Sequence, residues 1–138
     1  MTRRVFLITS NQIEVFDWQK KTLFSFYEFK NNEEGIKNFE HYLEVTEAAP
    51  TQVLVELLEE DFQREKIPYI LGSDRTALIQ RQIVRHYRDN KYTHSHILGR
   101  DTEGRRDHKL LLTCISNPEP LDVWMELLNK HHTPISGI

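Results

Sequence analysis

The sequence predicts an α/β chain, with a mixed sheet that opens on three antiparallel strands and is flanked by helices. Three short runs rich in aromatic and β-branched residues follow one another near the N-terminus, the first two separated by a stretch of hairpin-turn size. The periodicity then switches to helical spacing and afterwards alternates between helix and strand. Over 138 residues there is no internal repeat and no low-complexity linker, so one domain spanning 1–138 is expected.

The opening strand is Val5-Phe6-Leu7-Ile8, and Thr9, Ser10, Asn11 and Gln12 form the turn after it. The second strand runs Ile13-Glu14-Val15-Phe16-Asp17-Trp18 and the third Leu23-Phe24-Ser25-Phe26-Tyr27-Glu28-Phe29. Asn31 and Asn32 are cap candidates, and Glu33 and Glu34 suit the positive end of a helix, predicted over 33–45 from Ile36, Phe39 and Leu43. Gln52-Val53-Leu54-Val55-Glu56-Leu57-Leu58 is apolar enough to predict a buried strand. Residues 59–69 are heavily charged and end at Ile67-Pro68, which predicts an edge strand.

Gly72-Ser73-Asp74 opens a second helix, with Leu78, Ile79, Ile83 and Tyr87 on its apolar face, ending near Arg88. Two strands follow at 94–98 and 109–115, joined by a polar loop at 99–107. Asn117-Pro118 starts a third helix that reaches about Lys130 and packs through Leu121, Trp124, Leu127 and Leu128. Residues 133–138 begin another strand that then stops, which predicts that the chain is the N-terminal part of a longer protein.

Composition removes several function classes. The net charge is -3 and the pI about 6.2, so no basic field gathers nucleic acid. No apolar run approaches the roughly 20 residues that cross a bilayer, so this segment is not expected to insert. Thr2-Arg3-Arg4 lacks the apolar stretch of a secretion signal. The single cysteine, Cys114, excludes an internal disulfide and suits a reducing compartment, so a cytoplasmic location is expected.

Candidate chemistry is sparse. A two-metal nuclease needs converging carboxylates, usually one on the first strand, and residues 5–8 carry none. Glu14 and Asp17 stand an odd interval apart, so they point to opposite faces and read as solvated surface carboxylates. The turn at Thr9, Ser10, Asn11 and Gln12 has no glycine to bend around a phosphate. Asn11 tolerates a left-handed conformation, which suits an ordinary hairpin turn. His94 and His96 share a strand face, and His131-His132 ends a helix, but no further ligands stand at metal spacing. Cys114 reads as a small buried hydrophobe. Arg100, Arg105 and Arg106, interleaved with Asp101, Glu103 and Asp107, read as a solvated hairpin tip. Arg81, Arg85 and Arg88 read as an exposed helix face. No catalytic, cofactor-binding or metal-binding residue is assigned, and no enzymatic activity is expected.

The element order resembles that of ribonuclease H-like, actin-like folds. More narrowly, the chain resembles the N-terminal half of the actin-like proteins of type IV pilus biogenesis and the L component of type II secretion. The segments that carry the resemblance run from Val5 to Phe16, from Arg75 to Tyr87, and from Leu110 to Cys114, leading to Trp124 and Leu128. It implies a bacterial cytoplasmic scaffold domain at the inner face of the inner membrane, with no cofactor. The implied partner is an assembly ATPase or the cytoplasmic tail of a membrane protein, and homodimer formation is left open. The alternative is an ATP-binding module completed by a missing second half. Nucleotide-binding relatives carry an aspartate and a glycine in the first turn, where this chain has Thr9, Ser10, Asn11 and Gln12.

Overall fold

The computed structural model describes residues 2–138. In chain order the elements are β1 (Thr2–Thr9), β2 (Gln12–Gln19), β3 (Thr22–Lys30), α1 (Glu33–Val45), β4 (Thr51–Glu56), β5 (Glu60–Ile67), α2 (Ser73–His86), β6 (Thr93–Arg100), β7 (His108–Ile115), α3 (Glu119–Lys130) and β8 (Ile135–Gly137). They divide into two compact units, one running to Leu58 and resuming at Glu119, the other spanning residues 59–118.

The first unit holds a five-stranded mixed sheet in the order β3-β2-β1-β4-β8. β1 and β2 pair antiparallel with Ile8 opposite Ile13, β2 pairs antiparallel with β3, and β4 joins β1 in parallel. The C-terminal residues form β8 beside β4, as the apolar pattern anticipates. Strand parity decides which side chains enter the core. Phe6 and Ile8 of β1, Ile13 and Val15 of β2, and Val53 of β4 are buried on one face. That face packs against Phe39 and Tyr42 of α1 and the apolar stripe of α3, Leu121, Trp124, Met125 and Leu128. Phe39 sits at the centre, with ring centroids 5.6 Å from Phe6 and 5.4 Å from Trp124, both edge-on. Each such buried side chain contributes about 1.5–3 kcal/mol.

α1 starts where the sequence places it. Asn32 Oδ1 accepts from the Gly35 amide at 2.7 Å, and Glu33 and Glu34 occupy the first turn. Gly35 is buried against the end of β3, so a Cβ there would run into the backbone carbonyl of Lys30.

β4 departs from expectation. It was expected to be buried on both faces, but it alternates, and Leu54 is 55% exposed. Only the Thr51 and Val53 side is covered by helices, so the apolar run serves a covered face and an open one.

The second unit is a three-stranded antiparallel sheet, β5-β7-β6, with β5 at an edge as predicted. Its core is Ile67, Tyr87, Leu110, Leu112 and Cys114, against Leu78, Ile79 and Ile83 of α2. Tyr87 caps α2 one residue beyond its last turn and donates its hydroxyl to the Leu112 carbonyl at 3.3 Å. Desolvation, reinforced by the nearby Asp61 charge, pushes its phenol up to about 12. A phenol whose pKa rises on folding stabilises the native state fully below the unfolded value of about 10. That contribution is lost as pH rises towards 12. Urea midpoints are therefore expected to fall between pH 9 and pH 11, with a smaller fall in Tyr87→Phe. An equal fall in that variant would contradict the assignment.

Candidate interaction surface

The turn between β1 and β2 is closed by its own hydrogen bonding. Thr9 Oγ1 donates to the Gln12 carbonyl at 3.3 Å and accepts from the Asn11 amide at 3.4 Å, while Asn31 N–H reaches the Asn11 carbonyl at 2.8 Å. The turn is an ordinary hairpin connection, and Asn11 does not use the left-handed conformation it tolerates. The Thr9 hydroxyl and the antiparallel register close the turn without it.

Glu14 and Asp17 do lie on opposite faces, but Asp17 is not a solvated carboxylate. It is 6% exposed and pairs with Arg4, itself 5% exposed. Arg4 Nε meets Asp17 Oδ1 at 2.8 Å; Ser25 Oγ and Tyr42 OH donate to Oδ2 at 3.0 and 3.3 Å. Arg4 Nη1 also donates to the Glu47 carbonyl at 3.2 Å, and its guanidinium lies 5.4 Å from the Tyr42 ring centroid. Burial is the main reason the Tyr42 phenol is held above its ordinary range. The signal was available in the sequence, because Ile13, Val15 and Asp17 share one strand parity. This closed network has the character of a structural clasp.

The other candidates disperse. His94 and His96 are exposed neighbours on β6, with ring centroids 5.2 Å apart. His131 meets two residues that sequence reasoning missed, Glu40 and Glu44, one helical turn apart on α1; their ligand atoms lie within 4.8 Å of one another. Lys130 Nζ already stands 3.0 Å from Glu40 Oε1 and supplies a cation there. His132 takes a left-handed conformation after α3 and does not join them.

Arg81, Arg85 and Arg88 are exposed, as expected. Arg100, Arg105 and Arg106 are all exposed, as expected, and Arg100 ends β6 at the base of the tip. Its guanidinium stacks 3.5 Å from the Tyr69 ring centroid and donates to the Arg106 carbonyl at 3.0 Å. The hairpin register places Arg100 opposite His108 at the base of the loop.

Cys114 is buried, and Asn90 Nδ2 lies 3.3 Å from its sulfur. Burial, then the Asp61 charge, raises its thiol pKa, which lowers the thiolate fraction at neutral pH. Labelling by a thiol reagent at pH 7.5 is expected to be slow in the native protein and fast in urea. Rapid native labelling would contradict this.

What remains is a surface. On the face of the five-stranded sheet opposite α1 and α3, successive cross-strand rows read Arg3, Trp18 and Leu23; then Gln52, Val5, Phe16 and Phe26; then Leu54, Leu7, Glu14 and Glu28. The apolar members form a diagonal band from Leu54 on β4 to Trp18 and Leu23 near the sheet edge. The Phe16 and Phe26 ring centroids are 5.0 Å apart. Phe26 is 45% exposed, and Phe24, the extra residue of a bulge, is 68% exposed. At the Arg3 end the band borders a cleft of about 530 Å³ lined by Arg3, Val5, Trp18, Lys20, Gln52 and Ser136 among others. Trp18, Leu23, Phe26 and Leu54 in this band are each more than a third exposed.

No family model and no curated protein matches this sequence. Solved structures do match it. The cytoplasmic domain of EpsL, an inner membrane component of the type II secretion system of Vibrio cholerae, superposes with a TM-score of 0.57 at 12% identity, over 99% of this chain and 56% of that one. A Bacteroides thetaiotaomicron protein with an actin-like ATPase fold and unknown function superposes with a TM-score of 0.50 at 8% identity, over 99% and 51%. The fold is actin-like. The chain spans about half the length of these two structures, in accord with the resemblance read from its element order. At such identities the likeness concerns the actin-like fold alone. Among the described residues, no helix is long and apolar enough to cross a membrane.

Proposed function

We propose that this actin-like chain is a non-catalytic scaffold domain that docks another protein in a bacterial envelope assembly of the pilus or secretion kind. It works in the cytoplasm at the inner face of the inner membrane, and its partner is an assembly ATPase or the cytoplasmic tail of a membrane protein. The single observation that carries the reading is the open sheet face, which keeps Trp18, Phe26 and Leu54 exposed to water. The actin-like fold that it shares with a secretion-system domain supports this reading.

The first turn supports the same reading. It offers neither a carboxylate for a metal nor a glycine for a phosphate, and its hydroxyl is engaged with its own backbone. Calorimetric titration with ATP and magnesium is expected to give no binding heat. Micromolar binding would overturn the reading in favour of a nucleotide-binding module.

A further inference from the structure

We infer that the open sheet face takes an amphipathic helix of a protein partner, lying along the apolar diagonal with a Lys/Arg flank turned towards Glu14, Glu28 and Glu56. This rests on the reading of that face as a docking surface and adds the chemistry and direction of what docks. The diagonal crosses four strands, about 15 Å at sheet spacing, which is about three turns of a helix laid along it with one apolar stripe facing the sheet.

The two sides of the diagonal differ in charge. Glu14 and Glu28 lie beyond it towards the hairpin turn, directly opposite each other on β2 and β3, and Glu56 stands on the same face of β4, next to Leu54's row. Glu14 accepts a hydrogen bond from Gln12 Nε2 at 2.8 Å, and among the described residues none of the three carboxylates has an ion-pair partner. Like charges placed directly across a strand pair destabilise the sheet that bears them. Lys30, on the following row, pairs in register with Gln12 and bridges neither acid. On the other side of the diagonal stands Arg3, next to Lys20 at the cleft. A helix with cations on one flank relieves the Glu14 and Glu28 repulsion in one orientation and meets Arg3 in the other. Charge therefore sets which way round it lies.

The probes are two model helices of about five turns, identical in their leucine stripe, one with a lysine flank and one with a glutamate flank. Trp18 reports binding through its emission, since Trp124 is fully buried. The lysine peptide is expected to bind about tenfold more tightly at low salt, the gap closing near 0.5 M salt. Glu14→Lys combined with Glu28→Lys is expected to invert the preference. Equal affinities in the unmodified protein would overturn the inference and leave the docking face standing. Binding that survives Phe26→Ser with Leu54→Ser, or a Trp18 response to neutral phosphatidylcholine vesicles and to neither peptide, would overturn both.

Discussion

Asp17→Ala is expected to cost about 3–5 kcal/mol of folding stability, as much as truncating a large core side chain. Among the described residues the removed carboxylate is the only acid bonded to Arg4, and it also receives the Ser25 and Tyr42 hydroxyls. Taking it away leaves a guanidinium buried beside β2 with one carbonyl bond, to Glu47, and the Tyr42 ring for company. The penalty comes from that stranded charge and exceeds the net worth of the pair. Replacing both partners tests the distinction. Arg4→Met with Asp17→Leu is expected to recover most of the loss, because an apolar pair of similar volume leaves no buried charge. Urea unfolding of the two single variants and the double variant measures this. A double variant as unstable as Asp17→Ala would show that the clasp contributes through hydrogen bonds that the apolar pair cannot replace.

Gly35→Ala is expected to cost about 3 kcal/mol or more, although alanine ordinarily favours a helix over glycine by about 1 kcal/mol. The new methyl group would meet the Lys30 carbonyl, a backbone atom that no rotamer change can move aside. Relief requires α1 to lift from the end of β3, which disturbs the Asn32 cap and the packing of Phe39 beneath it. The expected result is a lowered thermal midpoint with loss of near-ultraviolet signal from the aromatic cluster. A gain in stability would mean that α1 starts further from β3.

Much of the fold was legible because each element announces itself locally. The alternation in β1 and β2, the Asn32 cap, and the spacing of Leu121, Trp124 and Leu128 each fix an element from neighbours a few residues away. Leu54 was misjudged for a physical reason. An apolar residue awaiting a partner and one already in the core look the same in sequence, and only the helices' choice of face separates them. Asp17 was misread for a different reason. Its parity with Ile13 and Val15 put it on the core face, but its partner Arg4 lies across a hairpin register that had to be known first. The division of strands between two sheets likewise depends on β7 pairing with β5 beyond its hairpin with β6, a long-range choice that local pattern does not encode.

The surface that carries the functional reading can be addressed where the protein works. A photo-crosslinking amino acid placed at Phe26, on the open sheet face, can be compared with one at exposed Lys37 on α1, both in the natural full-length protein within its own cells. The account predicts a discrete protein adduct from position 26, lost when Leu54→Ser is added, and none from position 37. Adducts of equal yield at both positions, or only lipid or nucleic acid at position 26, would contradict it.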